Sequence, residues 1–385
     1  MNPSLILIAL SLFTWGIGEG MFLYFQPIYL HQLGANTMTI AGVFSAFGAA
    51  MMIAHIPAGY LSDKIGRRPL LWAAWIFGMA ATWCMALAGS LQLFIIGMVM
   101  YGLTAFVSSP LYSYITAARG KYSPARVMTL SSAAFNLGAI LGPITGGWIA
   151  DKYSLRTIYL VSACIFVVSF IFILLIKKQP RDHHDPGKPP PNLLKNSRFL
   201  GFLGVGFISM FVMYLPQPLT PNFLQIEREL TMGMVGLIGS IGGIGTVLLN
   251  LMLGQLNARL GFFLAQAAVG LFAFFLWRGH NLLWYGMGYF LLGGFRAARM
   301  MVFAQVRPLI HQAQMGLAYG LTDAVNSLAT ILAPLLAGFL YTRDPISVYP
   351  VAILLIILSI LIGIRFAPRQ VSEPPLVTIP PGSEP

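Results

Sequence analysis

Apolar and polar positions alternate along this chain in long blocks. Apolar runs of about 20 residues recur from end to end, separated by short polar loops, and each is long enough to cross a ~30 Å hydrocarbon layer as an α-helix. The pattern predicts spans over residues 5–30, 39–61, 69–89, 91–115, 126–150 and 155–177. After a hydrophilic stretch it predicts six more, over 198–224, 232–256, 261–278, 282–305, 314–341 and 346–366. The fold class is therefore an all-α integral membrane protein of twelve transmembrane helices. Pro and Gly lie inside several spans, which membrane helices tolerate because neighbours satisfy the freed backbone groups.

The second six spans repeat the first. A shift of 191 residues lays Ile140-Leu141-Gly142-Pro143 on Ile331-Leu332-Ala333-Pro334, and Gln26-Pro27 on Gln217-Pro218. A slightly larger shift lays Gly59 and Gly66 on Gly254 and Gly261. Six spans per half puts both halves in the same orientation, so two pseudo-symmetric six-helix bundles are expected. Such parallel repeats suit transporters that rock one bundle against the other. The organisation is then an N-terminal bundle (1–178), a cytoplasmic linker (179–197), a C-terminal bundle (198–368) and a disordered cytoplasmic tail (369–385). The linker carries Pro189-Pro190-Pro191 and the solvated pair His183-His184, and the tail is Pro-rich.

Composition sharpens this. Of 385 residues, 57% are hydrophobic and only 9% charged, too few to cover the surface of a soluble domain. The formal charge of +12 would suit nucleic acid only if the cations were gathered on one face. Instead 18 of the 23 Lys and Arg fall on the side that holds both termini; Lys152, Arg156, Arg228, Arg278 and Arg343 fall on the other. That asymmetry places both termini in the cytoplasm and argues for a multi-pass protein of the plasma membrane with no nucleic-acid partner. Cys84 and Cys164 sit inside apolar runs and offer neither a disulfide framework nor metal spacing. The first apolar run lacks a small-residue cleavage site and reads as a retained helix. No cofactor or metal is expected, and a monomer is.

Two motifs carry the chemistry of the loops and seams. After the second span the chain reads Gly59-Tyr60-Leu61-Ser62-Asp63-Lys64-Ile65-Gly66-Arg67-Arg68-Pro69. Gly59 permits close helix approach, Gly66 a tight turn, and Asp63 stands among Lys64, Arg67 and Arg68. The fifth span holds Gly138-x-x-x-Gly142-Pro143-x-x-Gly146-Gly147. The first pattern resembles the loop signature of the major facilitator superfamily, and the second resembles that family's antiporter motif. The resemblance covers nearly the whole chain. It implies that Asp63, Arg67 and Arg68 belong to a cytoplasmic gate holding the halves together when the cavity faces outward. It also implies that the fifth-span glycines allow tight packing, with a bend at Pro143 closing a leak path, and it raises the prior for export. Two departures stand out. The second-half copy of the loop has Ala258 where the acid would sit, and the stretch Leu93–Gly102 lacks the Arg that the family's drug/proton antiporters often carry midway along the fourth span.

Ionisable residues inside spans are functional candidates by default. Glu19 lies about 21 Å along the first span, near mid-bilayer, where burial favours the neutral form and lets a carboxyl load and release a proton. Its repeat partner is Met210. Asp323 in the eleventh span lies at the depth of Arg296 and Arg299 in the tenth, predicting an intramembrane ion pair that serves as a clasp or a switch. His55 is a further polar group near the loop motif. Phe22, Tyr24 and Gln26 of the first span and Tyr214 and Gln217 of the seventh are candidate cavity-lining residues, because the resembled family lines its cavity with these spans. The chain has no Gly-x-x-x-x-Gly-Lys-[Ser/Thr] run for nucleotide and no convergent nucleophile, base and acid, so no enzymatic role is expected. The leading reading is a secondary transporter working by alternating access, exporting a small organic or drug-like compound against proton entry. The alternatives are a facilitator or importer of a metabolite such as a sugar, and a non-transporting sensor on the same scaffold.

Overall fold

The structure is a computed structural model describing residues 2–179, 196–306, 309–310 and 315–366; for residues 55–64, 109, 124–125, 315–317, 319 and 366 it describes the backbone only. The first half contains α1 (Pro3–Leu23), α2 (Gln26–Gln32), α3 (Thr37–Ile65), α4 (Arg67–Leu87), α5 (Leu91–Leu103), α6 (Ser108–Ala117), α7 (Pro124–Lys152) and α8 (Leu155–Leu174). The second contains α9 (Ser197–Tyr214), α10 (Thr220–Asn222), α11 (Met232–Leu253), α12 (Ala258–Arg278), α13 (Leu282–Leu292), α14 (Gly294–Val306), α15 (Met315–Arg343) and α16 (Val348–Phe366). Among the described residues every regular element is helical. Many of the helices begin on a Ser, Thr or Asn whose side chain takes up a first-turn N–H, as Ser123 does for Arg126 and Thr231 for Met234.

Eleven helices among the described residues are long and apolar enough to cross a membrane. The tenth predicted span, 282–305, is α13 followed by α14, broken at Gly293, and neither piece alone is long enough. Three other spans expected to be continuous are also interrupted. The first breaks at Tyr24 and Phe25, and the fourth passes through a 3-10 turn at Thr104–Val107. The seventh stops at Tyr214 and resumes as a turn, α10 and a π turn at Phe223–Glu227. Apolar side chains such as Leu283 (69% exposed), Met252 (63%) and Leu354 (58%) stand outward, as a lipid-facing surface requires.

The repeat is visible in the helix boundaries. The helices α7 and α15 are both 29 residues long and begin 191 residues apart; α4 and α12 are both 21 residues long at the same offset. The second span of each half keeps a different register, because α3 begins at Thr37 and α11 at Met232, an offset of 195. The extra four residues are absorbed in the loop motif. Gly66 caps α4 in the left-handed region (φ 88°), and the residue in the same place before α12 is Asn257, not Gly261, which lies one turn inside that helix. The second half thus lacks one helical turn of the loop signature, so Ala258 is the first residue of α12 and not a substitute for Asp63.

Two seams join the halves. In one, α7 meets α11, where the hydroxyl of Ser240 donates to the Ile140 carbonyl (2.6 Å) and accepts from the Ile144 N–H (3.1 Å). It inserts into the helical ladder one turn before Pro143, where the ladder is already weakened. In the other, α3 meets α15, and Ser45 donates to the Ile331 carbonyl (2.6 Å), one turn before Pro334. Ser45 and Ser240 are related by the 195 offset and their acceptors by 191, so the two seams are copies of one contact.

The seams lie toward one end of the molecule. Gly147 packs on Met232 and Gly233, and Gly338 packs on Ala41 and Met38, both near the end opposite the Gly66 loop. One hydrophobic core runs through both halves, whereas Leu5, Ile8, Leu71, Tyr114 and Ile173, at the Gly66 end of the first half, form a separate core of their own. Among the described residues, the contacts that join the bundles therefore gather toward one end.

Candidate functional site: a cavity between the two halves

Helix α1 sits against α7 with almost no side chain between them. Gly138, Gly142 and Gly146 recur every four residues and so share one face. A methyl at Gly138 would meet the Phe13 carbonyl, one at Gly142 would lie 2.5 Å from the Ile17 carbonyl, and one at Gly146 would meet the Met21 carbonyl. Gly16 and Gly20 answer from α1. The other two residues of the motif face the opposite half, since Gly147 meets Met232 and Pro143 meets Gly236 and Gly239. One motif thus fixes α1 within its bundle and forms the seam with the next.

This packing holds Glu19 at the border of the sealed region. Trp15, one turn earlier on the same face, donates Nε1–H to Glu19 Oε2 (3.0 Å), and Tyr101 of α5 donates its hydroxyl to the same oxygen (2.8 Å). Two donors meeting on one carboxylate oxygen fix the direction in which the Glu19 side chain points. The indole of Trp15 is wedged between Trp75 (ring centroids 5.1 Å) and Phe166 (4.3 Å), which fixes the donor in place. Glu19 is partly exposed because it faces two spaces.

The larger space is a cavity of about 580 Å³ between the halves, walled by Trp15, Trp75, Phe135 and Tyr101 on one side and Arg299, Phe303 and Asp323 on the other. Its walls extend to Ile115 and Phe303, within one turn of the ends of α6 and α14, so it lies toward the Gly66 end. The smaller space is a crevice of about 70 Å³ on the sealed side of Glu19, bounded by Tyr24, Asn136, Thr246 and Arg296.

The second half supplies the ion pair Arg299–Asp323, joining α14 to α15 on the cavity wall, with side chains 38% and 30% exposed. Arg296, expected at the same pair, instead faces the crevice with Glu19 and Tyr24. Three residues of helix separate the two guanidinium groups by about 60° around α14, enough to send them into different spaces. Neutralising Asp323 alone (D323A) leaves Arg299 without its partner inside the membrane and is expected to lower both melting temperature and transport. The double neutral variant Arg299→Gln with Asp323→Asn should recover the melting temperature, measured by thermal unfolding in detergent.

At the sealed end the Asp151 carboxylate accepts from the Met232 N–H (2.9 Å) and the Gly233 N–H (2.8 Å). These are the first N–H groups of α11, so an anion of one half stands on the positive end of a helix of the other. Asp151→Ala is expected to loosen this end, raising thiol-reagent labelling of a cysteine placed at the exposed Lys152 several-fold, in line with the ~1 kcal/mol such charges supply at a helix terminus. Unchanged labelling would show that the seam holds without the clamp.

The remaining expected residues are distributed as follows. Arg67 donates to Gln179 (3.1 Å), and Arg68 lies over the Trp72 ring and donates to the Leu174 carbonyl (3.4 Å), both within the first half. The side chains of Gly59, Asp63, Lys64 and His55 lie outside the described residues, as do residues 180–195 of the linker, His183 and His184 among them, and the tail. Phe22 is fully buried, stacked on Tyr159, and Gln26 is fully buried with neither amide atom hydrogen-bonded. Tyr214 packs on Phe295, and Gln217 donates to the Met213 carbonyl. Of the five cavity-lining candidates only Tyr24 borders a space, the crevice; the others lie past Glu19 in the sealed half or away from both spaces. Sequence reasoning missed Trp15, Trp75, Tyr101, Tyr112, Ser131 and Phe303 on the cavity wall. The four-residue spacing of Trp15 and Glu19 was the available signal for one; Tyr101 is 82 residues from its partner and carried none.

Two duplicated six-helix bundles, packed together toward one end around a central cavity, have the architecture of a secondary membrane transporter. The sequence pattern of the Major Facilitator Superfamily matches residues 8–306, and the chain belongs to that superfamily. It is 29% identical over 157 residues to an uncharacterized MFS-type transporter of Methanocaldococcus jannaschii, covering 40% of this chain and 41% of that protein. It is 23% identical over 217 residues to the quinolone resistance protein NorA of Staphylococcus aureus, covering 56% of each. The matches thus span about half, or less, of these relatives' length. In fold it is similar to the nucleoside transporter NupG (TM-score 0.79, 15% identity, 95% of this chain and 99% of that one). It is also similar to a bacterial homologue of the lysosomal transporter Spinster in an inward-facing, occupied conformation (TM-score 0.70, 12% identity, 94% of each).

Proposed function

We propose that this secondary transporter exports a small organic compound in exchange for protons, with Glu19 as the proton-carrying group. The observation that carries the reading is the place of Glu19: an acid near mid-membrane, held by Trp15 and Tyr101, in contact with both the cavity and the crevice behind it. Its wall of aromatic rings, with few polar groups besides the charged ones, suits an amphipathic compound. The name of NorA as a resistance protein favours export. The gathering of Lys and Arg on the Gly66 side favours the plasma membrane with that side in the cytoplasm, so the cavity described faces inward.

The test is transport in proteoliposomes. Efflux of a fluorescent amphipathic dye such as ethidium, driven by an imposed pH gradient and collapsed by a protonophore, supports the reading. Flux of a solute that ignores the gradient would replace it with facilitation, and no flux of any solute would leave a sensor on the same scaffold.

A further inference from the structure

Arg296 is the second cation that α14 turns toward the space between the halves. It projects from α14, one turn before Arg299, yet it is absent from the ion pair that holds Asp323. It is exposed, and it borders the crevice behind Glu19. That crevice is built from both halves: Glu19 and Tyr24 of α1 and Asn136 of α7 on one side, Thr246 of α11 and Arg296 of α14 on the other. Its floor is the α7–α11 seam, where Gly243 packs on Ile140. Opening the sealed end means parting α7 from α11, so the same movement that opens that end divides the crevice and carries Arg296 away from Glu19.

We infer that Arg296 is the counter-charge of Glu19 in the state closed at this end, and that losing it on opening is what lets one carboxyl take up a proton on one side and give it up on the other. The inference rests on Glu19 being the proton carrier. The groups facing Glu19 are few. Trp15 and Tyr101 donate to it, Tyr24 and Asn136 flank the crevice, and Arg299 and Asp323 face it across the cavity as a neutralised pair. Arg296 is therefore the charge that changes its distance to Glu19 without an ion-pair partner of its own among the described residues.

The sign follows from attraction between opposite charges. An ionised Glu19 and Arg296 pull the two halves together across the crevice, favouring the state sealed here and open toward the Gly66 end. Protonating Glu19 removes the pull and favours opening of the sealed end. By linkage the open state holds the proton more tightly, so the proton loads from that side and leaves into the cavity once Arg296 returns.

Distance measurements by pulsed electron paramagnetic resonance test this without any substrate. Spin labels at Lys152→Cys and Glu227→Cys, exposed residues of opposite halves at the sealed end, report its opening in liposomes after Cys84 and Cys164 are replaced by serine. Wild-type distances should lengthen on acidification from pH 9 to pH 6. Arg296→Gln should show the longer distances at both pH values, Arg296→Lys should keep the wild-type response, and Glu19→Arg with Arg296→Glu should restore the short distances at neutral pH. An Arg296→Gln protein with the full wild-type pH response would overturn the inference while leaving proton coupling by Glu19 intact. A wild type with no pH response would also overturn it. The Glu19 reading itself fails separately, if flux in proteoliposomes ignores the pH gradient.

Discussion

Replacing Glu19 with glutamine is expected to abolish proton-driven transport while leaving exchange of substrate for substrate in place. Glutamine keeps the shape and can still accept from Trp15 and Tyr101, whose rings are held by Trp75 and Phe166. What it loses is the ability to be charged in one half of the cycle and neutral in the other. Uphill efflux driven by a pH gradient should fall about tenfold or more, the rate equivalent of ~1.4 kcal/mol. Counterflow of labelled against unlabelled dye, which needs only rocking and binding, should persist. Loss of both would mean that Glu19 holds substrate or structure, and retention of both would remove it from coupling.

Placing leucine at Gly142 is expected to prevent folding of the first half. A Cβ there would lie 2.5 Å from the Ile17 carbonyl and 2.7 Å from the Gly20 Cα, distances that backbone atoms cannot relieve without parting α1 from α7. Overpacking in an adaptable core costs about 1–3 kcal/mol; here the neighbours are main chain on both sides, so the loss should exceed that range. Size-exclusion chromatography of a fluorescent fusion should show aggregate where the parent gives a single peak. Gly201→Ala is the control, because its added methyl meets nothing within 4 Å, and it should run as the parent does. A normal peak for Gly142→Leu would mean that the α1–α7 contact has slack the structure does not contain.

Much of this was legible in the sequence because the forces involved leave marks at fixed spacing. Lipid demands continuous apolar runs, so the spans stood out. Close helix approach demands small residues every fourth position, so Gly138, Gly142 and Gly146 stood out. Mid-membrane charge is rare, so Glu19, Asp323, Arg296 and Arg299 stood out as well. What stayed hidden is set by contacts distant in sequence. The breaks at Thr104–Val107 and Gly293 fall inside unbroken apolar runs, because lipid-facing pattern reports side chains and not backbone path. Ser45 and Ser240 are ordinary small residues of their own helices, and their bonds across the seams depend on where the opposite half lies. Phe22 and Gln26 were chosen by span, but the side on which the halves close decides which part of a span meets the cavity, and their part is sealed. The split of Arg296 from Arg299 depends on the rotation of α14, which depth alone does not give.

Everything rests on the halves parting at one end while sealed at the other, and sided labelling of the cavity tests that most directly. Ser132 lines the cavity wall and is exposed to it. In a background with Cys84 and Cys164 replaced, Ser132→Cys should react with a membrane-impermeant maleimide applied from the Gly66 side. From the opposite side it should react only slowly, and faster when Asp151→Ala releases the clamp. Equal labelling from both sides in the parent, or labelling only from the side opposite Gly66, would contradict the account.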